Sequence, residues 1–348
     1  MKAIVLTEFG PPDVLHLAEA PTPDPGPGEV RVRVVAVAVA RTKDVAARAG
    51  SPPFGPQIRR FPHILGTEHA GVIDAVGDGV AADLLGRRVA VSAVLSCGHC
   101  RACERGREEA CASFQLIGVH RPGSYAEFVV VPAPNVHALP DGVTFAQGAA
   151  IAANGPVARG QLDAGDVGRG SVVLVVGAAG SLGSTAVALA AFRGARVIGI
   201  DRLAARPDCV EGLPLAAALD GESPDLSARI MDAAGPWGVD CVVDNLGLDS
   251  LWEQYRPALG DMGRIVVSGA ISRDPLPMHL LPFYLRSQSL IGVRTGNRHQ
   301  MTAMWADVEA GFRPPATHVS GTSWLDVAAA HARVDTGTAP GQIILDVG

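Results

Sequence analysis

Aromatic side chains and positive charge are both scarce in this chain of 348 residues. Aromatic residues make up 5% of it, and acidic residues outnumber basic ones by 35 to 29, which leaves a formal net charge of −6. A nucleic-acid-binding protein needs a basic surface that follows the phosphates, or aromatic faces on which bases stack. We therefore expect no nucleic acid among the partners of this chain.

Long hydrophobic runs are missing as well. A membrane-spanning helix needs about 20 consecutive apolar residues, whereas the strongest run, Val172–Val176, stops at Gly177. The first residues, Met1–Val5, do not resemble a secretory signal peptide. We expect no membrane partner and a cytoplasmic location, where cysteine thiols stay reduced.

Cysteine is infrequent but unevenly distributed, since four of the six cysteines lie within fifteen residues. Cys97, Cys100, Cys103 and Cys111 follow the spacing C-x2-C-x2-C-x7-C. Two-residue gaps allow one turn to present successive sulfurs, and the longer gap returns the chain with the fourth, which suits tetrahedral Zn²⁺. The alternative, two disulfide bonds, requires an oxidising compartment.

A site with four thiolate ligands has no coordination position left for a substrate or an activated water. The predicted zinc is therefore structural rather than catalytic. The residues between the cysteines are polar or small and cannot form a core of their own. We expect metal binding to supply the folding energy of this lobe, which covers about residues 95–113.

The chain changes character near residue 155. Before it, short strands that alternate apolar and polar residues, such as Glu29–Val34, are separated by turns rich in glycine and proline, which favours a β-rich, barrel-like domain. After it, apolar runs alternate with segments long enough for a crossover helix, which favours a doubly wound parallel sheet and an α/β fold class. These runs are Val172–Val176, Arg196–Ile200, Val239–Val243, Arg264–Ser268 and Ser289–Val293.

A glycine-rich turn, Gly177–Gly183, follows the first of these runs and precedes an apolar helix, Ser184–Phe192. One glycine permits the tight turn, one allows backbone amides to approach a pyrophosphate, and one permits close packing of helix and strand. We interpret the turn as a dinucleotide site because it lies between a predicted strand and a predicted helix, although such a turn can also bind nothing. The candidate contacts are Gly177, Ala179, Gly180, Ser181, Leu182 and Gly183.

The choice of dinucleotide depends on the end of the next strand. Asp201 can accept a hydrogen bond from the adenosine ribose, and its charge would repel a 2′-phosphate. Arg202, beside it, would attract one, so NAD(H) is expected and NADP(H) is the alternative. Asn245, Gly269 and Ala270 are further candidate cofactor contacts.

A cysteine cluster inside a β-rich domain, followed by a dinucleotide-binding domain, resembles the zinc-containing alcohol dehydrogenases of the medium-chain dehydrogenase/reductase superfamily. The resemblance covers the whole chain, and the seven-residue glycine-rich turn is more similar to the quinone oxidoreductase branch. It implies a GroES-like catalytic domain over residues 1–154 and 294–348, a Rossmann domain over residues 155–293, and a homodimer or homotetramer. Its further motifs are Met1–Leu6, Pro25–Val30, Gly66–Val72, Gly123–Glu127 and Gly263–Val266.

Members of this family that use a second, catalytic zinc hold it with a cysteine, with the histidine of a Gly-His-Glu triplet, and with a cysteine or an acid. The corresponding positions here are Arg41 (or Ala40, if the alignment slips by one residue), Thr67 and Ala153. A guanidinium and a methyl group cannot ligate zinc, and a hydroxyl is a poor substitute for imidazole. We therefore expect one zinc per chain, the structural one. The remaining alternative is a displaced site formed by Asp44, Glu68 and His69.

The positions of the family's proton relay are also changed, to Lys43 and Ala46. Without a metal, negative charge that develops on a substrate must be stabilised by positioned donors or cations. We expect Arg41 or Lys43 to neutralise an enolate or alkoxide oxygen while the other, or water, supplies a proton. Asn154 is a candidate neutral donor. In the structural alternative, Arg41 pairs with Glu68 and Lys43 points to solvent.

By resemblance, metal-free members of this superfamily reduce a C=C bond conjugated to a carbonyl, or a related iminium. We therefore expect a nicotinamide-dependent oxidoreductase that acts on such a bond of a small molecule. The first alternative is a metal-free carbonyl reductase or alcohol dehydrogenase. The second is an NAD(P)-binding protein with a non-redox role, as a cyclase or lyase, or with a regulatory one.

Overall fold

A computed structural model describes residues 1–272, 275–315 and 319–348, which form two units. The first unit comprises Met1–Pro156, Asn297–Glu309 and Val319–Gly348, and the second comprises Val157–Gly296 with residues 310–315. The helices are α1 (Ala46–Arg48), α2 (Phe145–Ala164), α3 (Ser181–Phe192), α4 (Leu226–Ala234), α5 (Asp249–Tyr255), α6 (Leu280–Leu285), α7 (Arg298–Glu309) and α8 (Val327–Asp335).

The strands are numbered in chain order. Those of the first unit are β1 (Lys2–Leu6), β2 (Leu15–Glu19), β3 (Glu29–Ala38), β4 (His63–Ile64), β5 (Glu68–Val76), β6 (Arg88–Val91), β7 (Val94–Leu95), β8 (Gln115–Leu116), β9 (Phe128–Pro132), β10 (Val136–Ala138), β17 (Val319–Ser323) and β18 (Gln342–Asp346). Those of the second unit are β11 (Val172–Val176), β12 (Arg196–Asp201), β13 (Ala217–Asp220), β14 (Val239–Asp244), β15 (Leu259–Val267) and β16 (Ser289–Gly292).

The first unit is built around a mainly antiparallel sheet in which β3 is central. The strand order is β10-β6-β5-β3-β18-β17, and β9 also pairs with β3. In β3, buried valines alternate with more exposed arginines from Val30 to Val34, because successive side chains of a strand point to opposite faces. The buried valines pack in one core with Tyr125 and Trp324.

The second unit contains a six-stranded parallel sheet with the order β13-β12-β11-β14-β15-β16. Its central strands β11 and β14 are almost wholly buried, which explains their apolar sequences. The chain moves outward from β11 in one direction and then resumes at β14 on its other side, so the carboxyl ends of these two strands border the crevice where ligands bind in such sheets. The predicted doubly wound parallel sheet is confirmed.

Two elements differ from the sequence-based expectations, and a third element spans the expected domain boundary. Helix α3 begins at Ser181, inside the predicted glycine-rich turn. Strand β13 was not predicted, because its sequence Ala-Ala-Leu-Asp contains no β-branched or aromatic residue. Helix α2 runs through the expected domain boundary at residues 154 and 155, and the two units divide within this helix, after Pro156.

Among the described residues, no helix has both the length and the apolar character that are needed to cross a bilayer.

Candidate functional site

The four clustered cysteines converge in the first unit. Their Sγ atoms all lie within 4.8 Å of one another, with distances of 3.5 Å between Cys111 and Cys97, 3.6 Å between Cys100 and Cys103, 3.9 Å between Cys100 and Cys111, and 4.0 Å between Cys97 and Cys103. A zinc ion bound tetrahedrally at about 2.3 Å from each sulfur requires edges of about 3.8 Å. The cysteines are not disulfide-bonded. The donor set and its dimensions therefore fit a zinc ion.

Local backbone geometry prepares this cluster for thiolates. The backbone N–H groups of Cys97 and Ser113 both donate to the Sγ atom of Cys111, at 3.3 Å each. Gly98 and Gly106 have φ angles of +79° and +65°, which let the chain reverse between successive ligands. Amide donors of this kind stabilise the negative charge that four thiolates bring to the site.

The cysteine lobe is attached to the start of α7 by a side chain that the sequence did not suggest. Nδ2 of Asn297 donates to the carbonyl oxygen of Gly106 and to Oε2 of Glu109, both at 3.0 Å. Oδ1 of the same residue accepts the backbone N–H of Gln300 at 2.8 Å, while Oε1 of Gln300 accepts the N–H of Asn297. This reciprocal pair is an Asn-x-x-Gln capping box, which is the signal that could have been found in the sequence.

The glycine-rich turn lies in the second unit, between β11 and α3. Gly177 has a φ of +76°, and a Cβ at Gly183 would lie 1.9 Å from the carbonyl oxygen of Gly177, so close packing excludes a side chain there. Gly180 differs, because its φ is −69° and a Cβ would meet its nearest neighbour at 3.4 Å. The structure of the turn therefore does not require glycine at 180, and the space there leaves the N-terminus of α3 accessible.

Asp201 ends β12 and is tied to this turn. Its Oδ2 accepts the N–H of Ala179 at 2.8 Å, and its Oδ1 accepts the N–H of Arg202 and a guanidinium N–H of Arg206, both at 2.9 Å. Arg206, which makes this contact, was not among the predicted cofactor residues. Arg202 was among them, and its side chain is exposed. These three hydrogen bonds use three of the about four acceptor sites of the carboxylate, so Asp201 can still accept one more.

The other candidate cofactor residues follow β14 and β15, which are neighbouring strands. Nδ2 of Asn245 donates to the carbonyl oxygen of Val176 at 3.3 Å, and its Oδ1 accepts from Gln161 at 2.7 Å. A Cβ at Gly269 would lie 2.0 Å from the carbonyl oxygen of Asn245, and Ala270 lies against Gly247. These residues are brought to the same edge of the sheet as the glycine-rich turn, because parallel strands end together.

Arg41 and Lys43 lie on a π-helical turn, Arg41–Val45, in the first unit. Arg41 is exposed. The ammonium of Lys43 is hydrogen-bonded to Oε1 of Glu68, and 13% of the Lys43 side chain is exposed against 3% of Glu68. Lys43 therefore does not point to solvent, contrary to the structural alternative. Burial lowers the pKa of Lys43 to about 8, which the charge of Asp44 only partly offsets.

Glu68 and Asp44 are buried carboxylates with defined partners. Oε2 of Glu68 accepts a hydrogen bond from the hydroxyl of Thr67, which is itself fully buried. Asp44 accepts the backbone N–H groups of Ala40, at 2.8 Å, and Gly66, at 3.3 Å. Burial raises the pKa of Asp44 to about 6, against the effect of these hydrogen bonds. Asp44 thus links the π-helical turn to Gly66, two residues before the strand that begins with Glu68.

Asn154 lies in the first unit's part of α2. Its Nδ2 donates to Oε1 of Gln342 at 2.5 Å, and Gln342 in turn donates to the carbonyl oxygen of Val39 at 2.6 Å. The predicted neutral donor is therefore oriented by the C-terminal strand β18. Gln342 is a second residue that the sequence did not suggest.

The positions that hold a catalytic zinc in the resembled family contain Arg41, Thr67 and Ala153. Within the described residues, the four cysteines are the one group of three or more His, Cys, Asp or Glu side chains close enough to share an ion. The displaced set of Asp44, Glu68 and His69 is not such a group. Burial also lowers the pKa of His69 to about 3.

Two models of known protein families match this chain. Residues 26–141 match the model "Alcohol dehydrogenase GroES-like domain", and residues 181–310 match "Zinc-binding dehydrogenase". A solved NAD-dependent alcohol dehydrogenase is 31% identical to the chain and superimposes with a TM-score of 0.90 over 100% of both chains. The chain belongs to the zinc-type alcohol dehydrogenase-like group of the medium-chain dehydrogenase/reductase superfamily. The resemblance seen in the sequence, the GroES-like fold and the Rossmann fold are confirmed, and this superfamily is one of oxidoreductases.

Other members of the superfamily differ in what they act on. An L-threonine 3-dehydrogenase of Idiomarina loihiensis is 33% identical over 209 residues, a match that covers 60% of the chain and 60% of that protein. The RspB alcohol dehydrogenase of E. coli CFT073, solved with NADH, is 25% identical with a TM-score of 0.87 over 100% of this chain and 99% of that one. The names of superfamily members therefore give the reaction class but not a common substrate.

Proposed function

We propose that this chain is a nicotinamide-dependent oxidoreductase that works without a catalytic zinc and reduces a C=C bond conjugated to a carbonyl, or a related iminium, in a small molecule. One observation carries the proposal. At the positions of the family's catalytic zinc ligands stand Arg41, Thr67 and Ala153, and the cation that meets the buried carboxylate of Glu68 is the ammonium of Lys43.

The second unit supports the cofactor assignment. The open space at Gly180, the N-terminus of α3 and the carboxylate of Asp201 form a surface of the kind that receives a pyrophosphate and an adenosine ribose. The NADH complex of RspB supports the same assignment. When bound, a reduced nicotinamide supplies a hydride to the acceptor.

The residues of the first unit determine which acceptors are suitable. Arg41 and Lys43 place two positive charges on one short turn, where they stabilise negative charge on an acceptor oxygen. Addition at the carbon of a conjugated C=C bond needs less polarisation of the carbonyl than direct attack on a ketone does, so two cations suffice without a metal. Asn154 contributes a neutral donor.

The zinc that we propose is structural, one ion per chain, held by Cys97, Cys100, Cys103 and Cys111. Four thiolates close its coordination sphere, so the ion offers no position to a substrate. The lobe residues pack around it, and Asn297 fixes the lobe to α7. Its contribution is to folding rather than to chemistry.

A panel of acceptors tests the proposal. Purified protein with NADH or NADPH is offered enones, quinones, imines and ketones at equal concentration, with and without a chelator of exchangeable metal, and products are identified by mass spectrometry. We expect saturated carbonyl compounds from enones, at a rate that the chelator does not change. Reduction that requires added zinc, or no reduction of any acceptor, contradicts the proposal.

A second candidate is reduction of a carbonyl or oxidation of an alcohol by the same residues. The similarity to an alcohol dehydrogenase and to a threonine dehydrogenase favours it. The same panel distinguishes the two candidates, because an enone then yields an allylic alcohol and a simple ketone is reduced as well.

A further inference from the structure

Two cations stand on the π-helical turn, but they differ in what they can do with a proton. A guanidinium stays protonated at any physiological pH, so Arg41 can stabilise charge but cannot donate its proton. An ammonium can donate one if its surroundings bring its pKa toward the working pH. The surroundings of the Lys43 ammonium therefore decide whether it can donate a proton.

The ammonium is mostly buried and is held from one side by Glu68. A buried ammonium without an anionic partner would lose its proton, because burial disfavours the charged form. Glu68 occupies the first position of β5, where it pairs with Ala38 of β3, so its backbone is fixed by the sheet. The ion pair places the nitrogen of Lys43 at a defined point rather than on a mobile side chain.

Thr67 and Asp44 hold the two halves of this pair in place. The hydroxyl of Thr67 donates to the carboxylate oxygen of Glu68 that Lys43 does not use. Asp44 accepts N–H groups from Ala40, which precedes the turn, and from Gly66. A histidine at position 67 is a zinc ligand in metal-using relatives; the threonine found here instead contacts the carboxylate that binds Lys43.

Arg41 and Asp44 are the other charged residues of the turn itself, and the charge of Asp44 raises the pKa of Lys43. Tyr125, whose pKa burial raises, is also close enough to feel the charge of Asp44. From α8, Asp335 is paired with Arg48 at 2.9 Å, and burial lowers the pKa of His331 to about 3, which leaves it neutral. Glu68 is therefore the carboxylate that is hydrogen-bonded to the ammonium, and Asp44 adds its charge to that of Glu68.

We infer that Lys43 is the proton donor of the proposed reaction and that Glu68, oriented by Thr67, is the positioning residue that keeps Lys43 protonated and aimed. The inference rests on the proposed function. As hydride adds to one carbon of the activated bond, an N–H bond of Lys43 breaks and a C–H or O–H bond forms on the substrate. Lys43 is left as a neutral amine and regains a proton from water through the exposed part of its side chain.

The sign of the expected pH dependence follows directly. Protonated Lys43 is the active form, so the rate falls as pH rises through the pKa of the ammonium, which is lowered to about 8. Glu68→Gln removes the negative charge but keeps the size of the side chain. The ammonium then loses its proton at a lower pH, by about one unit or more, since an opposite charge in contact shifts a pKa by about 1–3 units.

The test measures Lys43 in two ways. Acylation of Lys43 by acetic anhydride, followed by peptide mass spectrometry across pH, reports its titration without any reaction of the enzyme. Single-turnover hydride transfer to the best acceptor reports the alkaline limb of the rate. The variants are Glu68→Gln, Thr67→Val with Thr67→Ser as the conservative rescue, and Glu29→Gln, which breaks the ion pair with Arg121 elsewhere in the first unit.

We expect both midpoints to coincide near pH 8 and to move down together in Glu68→Gln, and to stay in place in Glu29→Gln. Thr67→Val lowers the rate about tenfold and Thr67→Ser restores it. An unchanged acylation midpoint in Glu68→Gln overturns the role of Glu68, and a rate limb that does not follow the acylation midpoint overturns Lys43 as donor. Absence of hydride transfer to every acceptor contradicts the proposed function and the donor role, while the acylation midpoint still decides whether Glu68 holds the proton on Lys43.

Discussion

A Cβ at Gly183 would lie 1.9 Å from the carbonyl oxygen of Gly177, and the obstacle is backbone that cannot rotate away. The two glycines therefore fix how the first turn of α3 packs on the end of β11. Gly180, between them, has no such constraint, since its nearest neighbour would be 3.4 Å from a Cβ. Glycines of one turn thus separate into those that serve the fold and one that leaves room for a ligand.

Replacing Gly183 or Gly180 by alanine should distinguish an effect on folding stability from an effect on cofactor binding. We expect Gly183→Ala to lower the free energy of unfolding by about 3 kcal/mol, because the added methyl group forces a backbone shift in a packed core. Gly180→Ala should change stability by less than about 1 kcal/mol but weaken NADH binding about tenfold or more. Urea unfolding and NADH fluorescence titration measure the two effects. Equal stability of the two variants would contradict the assignment.

The metal content of the protein is predicted to be one zinc per chain. Cys100→Ser removes one of four thiolates and should leave the purified protein with little zinc and a lower melting temperature, because the lobe depends on the ion for its folding. Cys209→Ser, a change of a buried thiol outside the cluster, is the matched control and should retain the ion. Elemental analysis decides. Two tightly held zinc ions in the wild-type protein would refute both the count and the metal-free mechanism.

Arg206 is predicted to control the discrimination between NAD(H) and NADP(H). It neutralises Asp201, and its removal leaves the carboxylate free to repel a 2′-phosphate. Arg206→Ala should therefore raise the Kd for NADPH about tenfold more than the Kd for NADH. Arg202→Ala, which leaves the backbone contact to Asp201 intact, is the comparison. An equal loss of affinity for NADH and NADPH in Arg206→Ala would show that Arg206 acts only on the fold.

We propose that the chain forms homodimers through the outer edge of β16. This strand ends the described sheet, so its outer backbone groups can pair with another strand, and Leu290 on it is 47% exposed. Leu281 and Leu285 of α6 are exposed by 62% and 66%. Leu290→Lys should convert a dimer into a monomer in analytical ultracentrifugation, whereas Leu17→Lys, also at an exposed strand position, should not. A monomeric wild-type protein would rule the proposal out.

The cysteine cluster and the glycine-rich turn could be predicted because each depends on residues close in sequence. The contacts of Arg206 and Gln342 could not be predicted in this way. Arg206 reaches Asp201 across a turn whose conformation is not encoded by a periodic pattern, and Gln342 meets Asn154 from 188 residues away in the chain. The role of Asn297 could be predicted only in part. Its capping box involves residues close in sequence, but its contact with Glu109 does not.

The sequence by itself determined the α/β class, and it predicted the four potential zinc ligands and the dinucleotide turn, because these depend on short-range spacing and strand periodicity. By resemblance, it also predicted that Arg41, Thr67 and Ala153 stand at the positions of the family's catalytic zinc ligands. Only the tertiary structure decided that Lys43 meets Glu68, since the two residues are brought together by the packing of the π-helical turn against β5. The burial of that pair brings the pKa of Lys43 to about 8, because few water molecules remain to stabilise the ammonium.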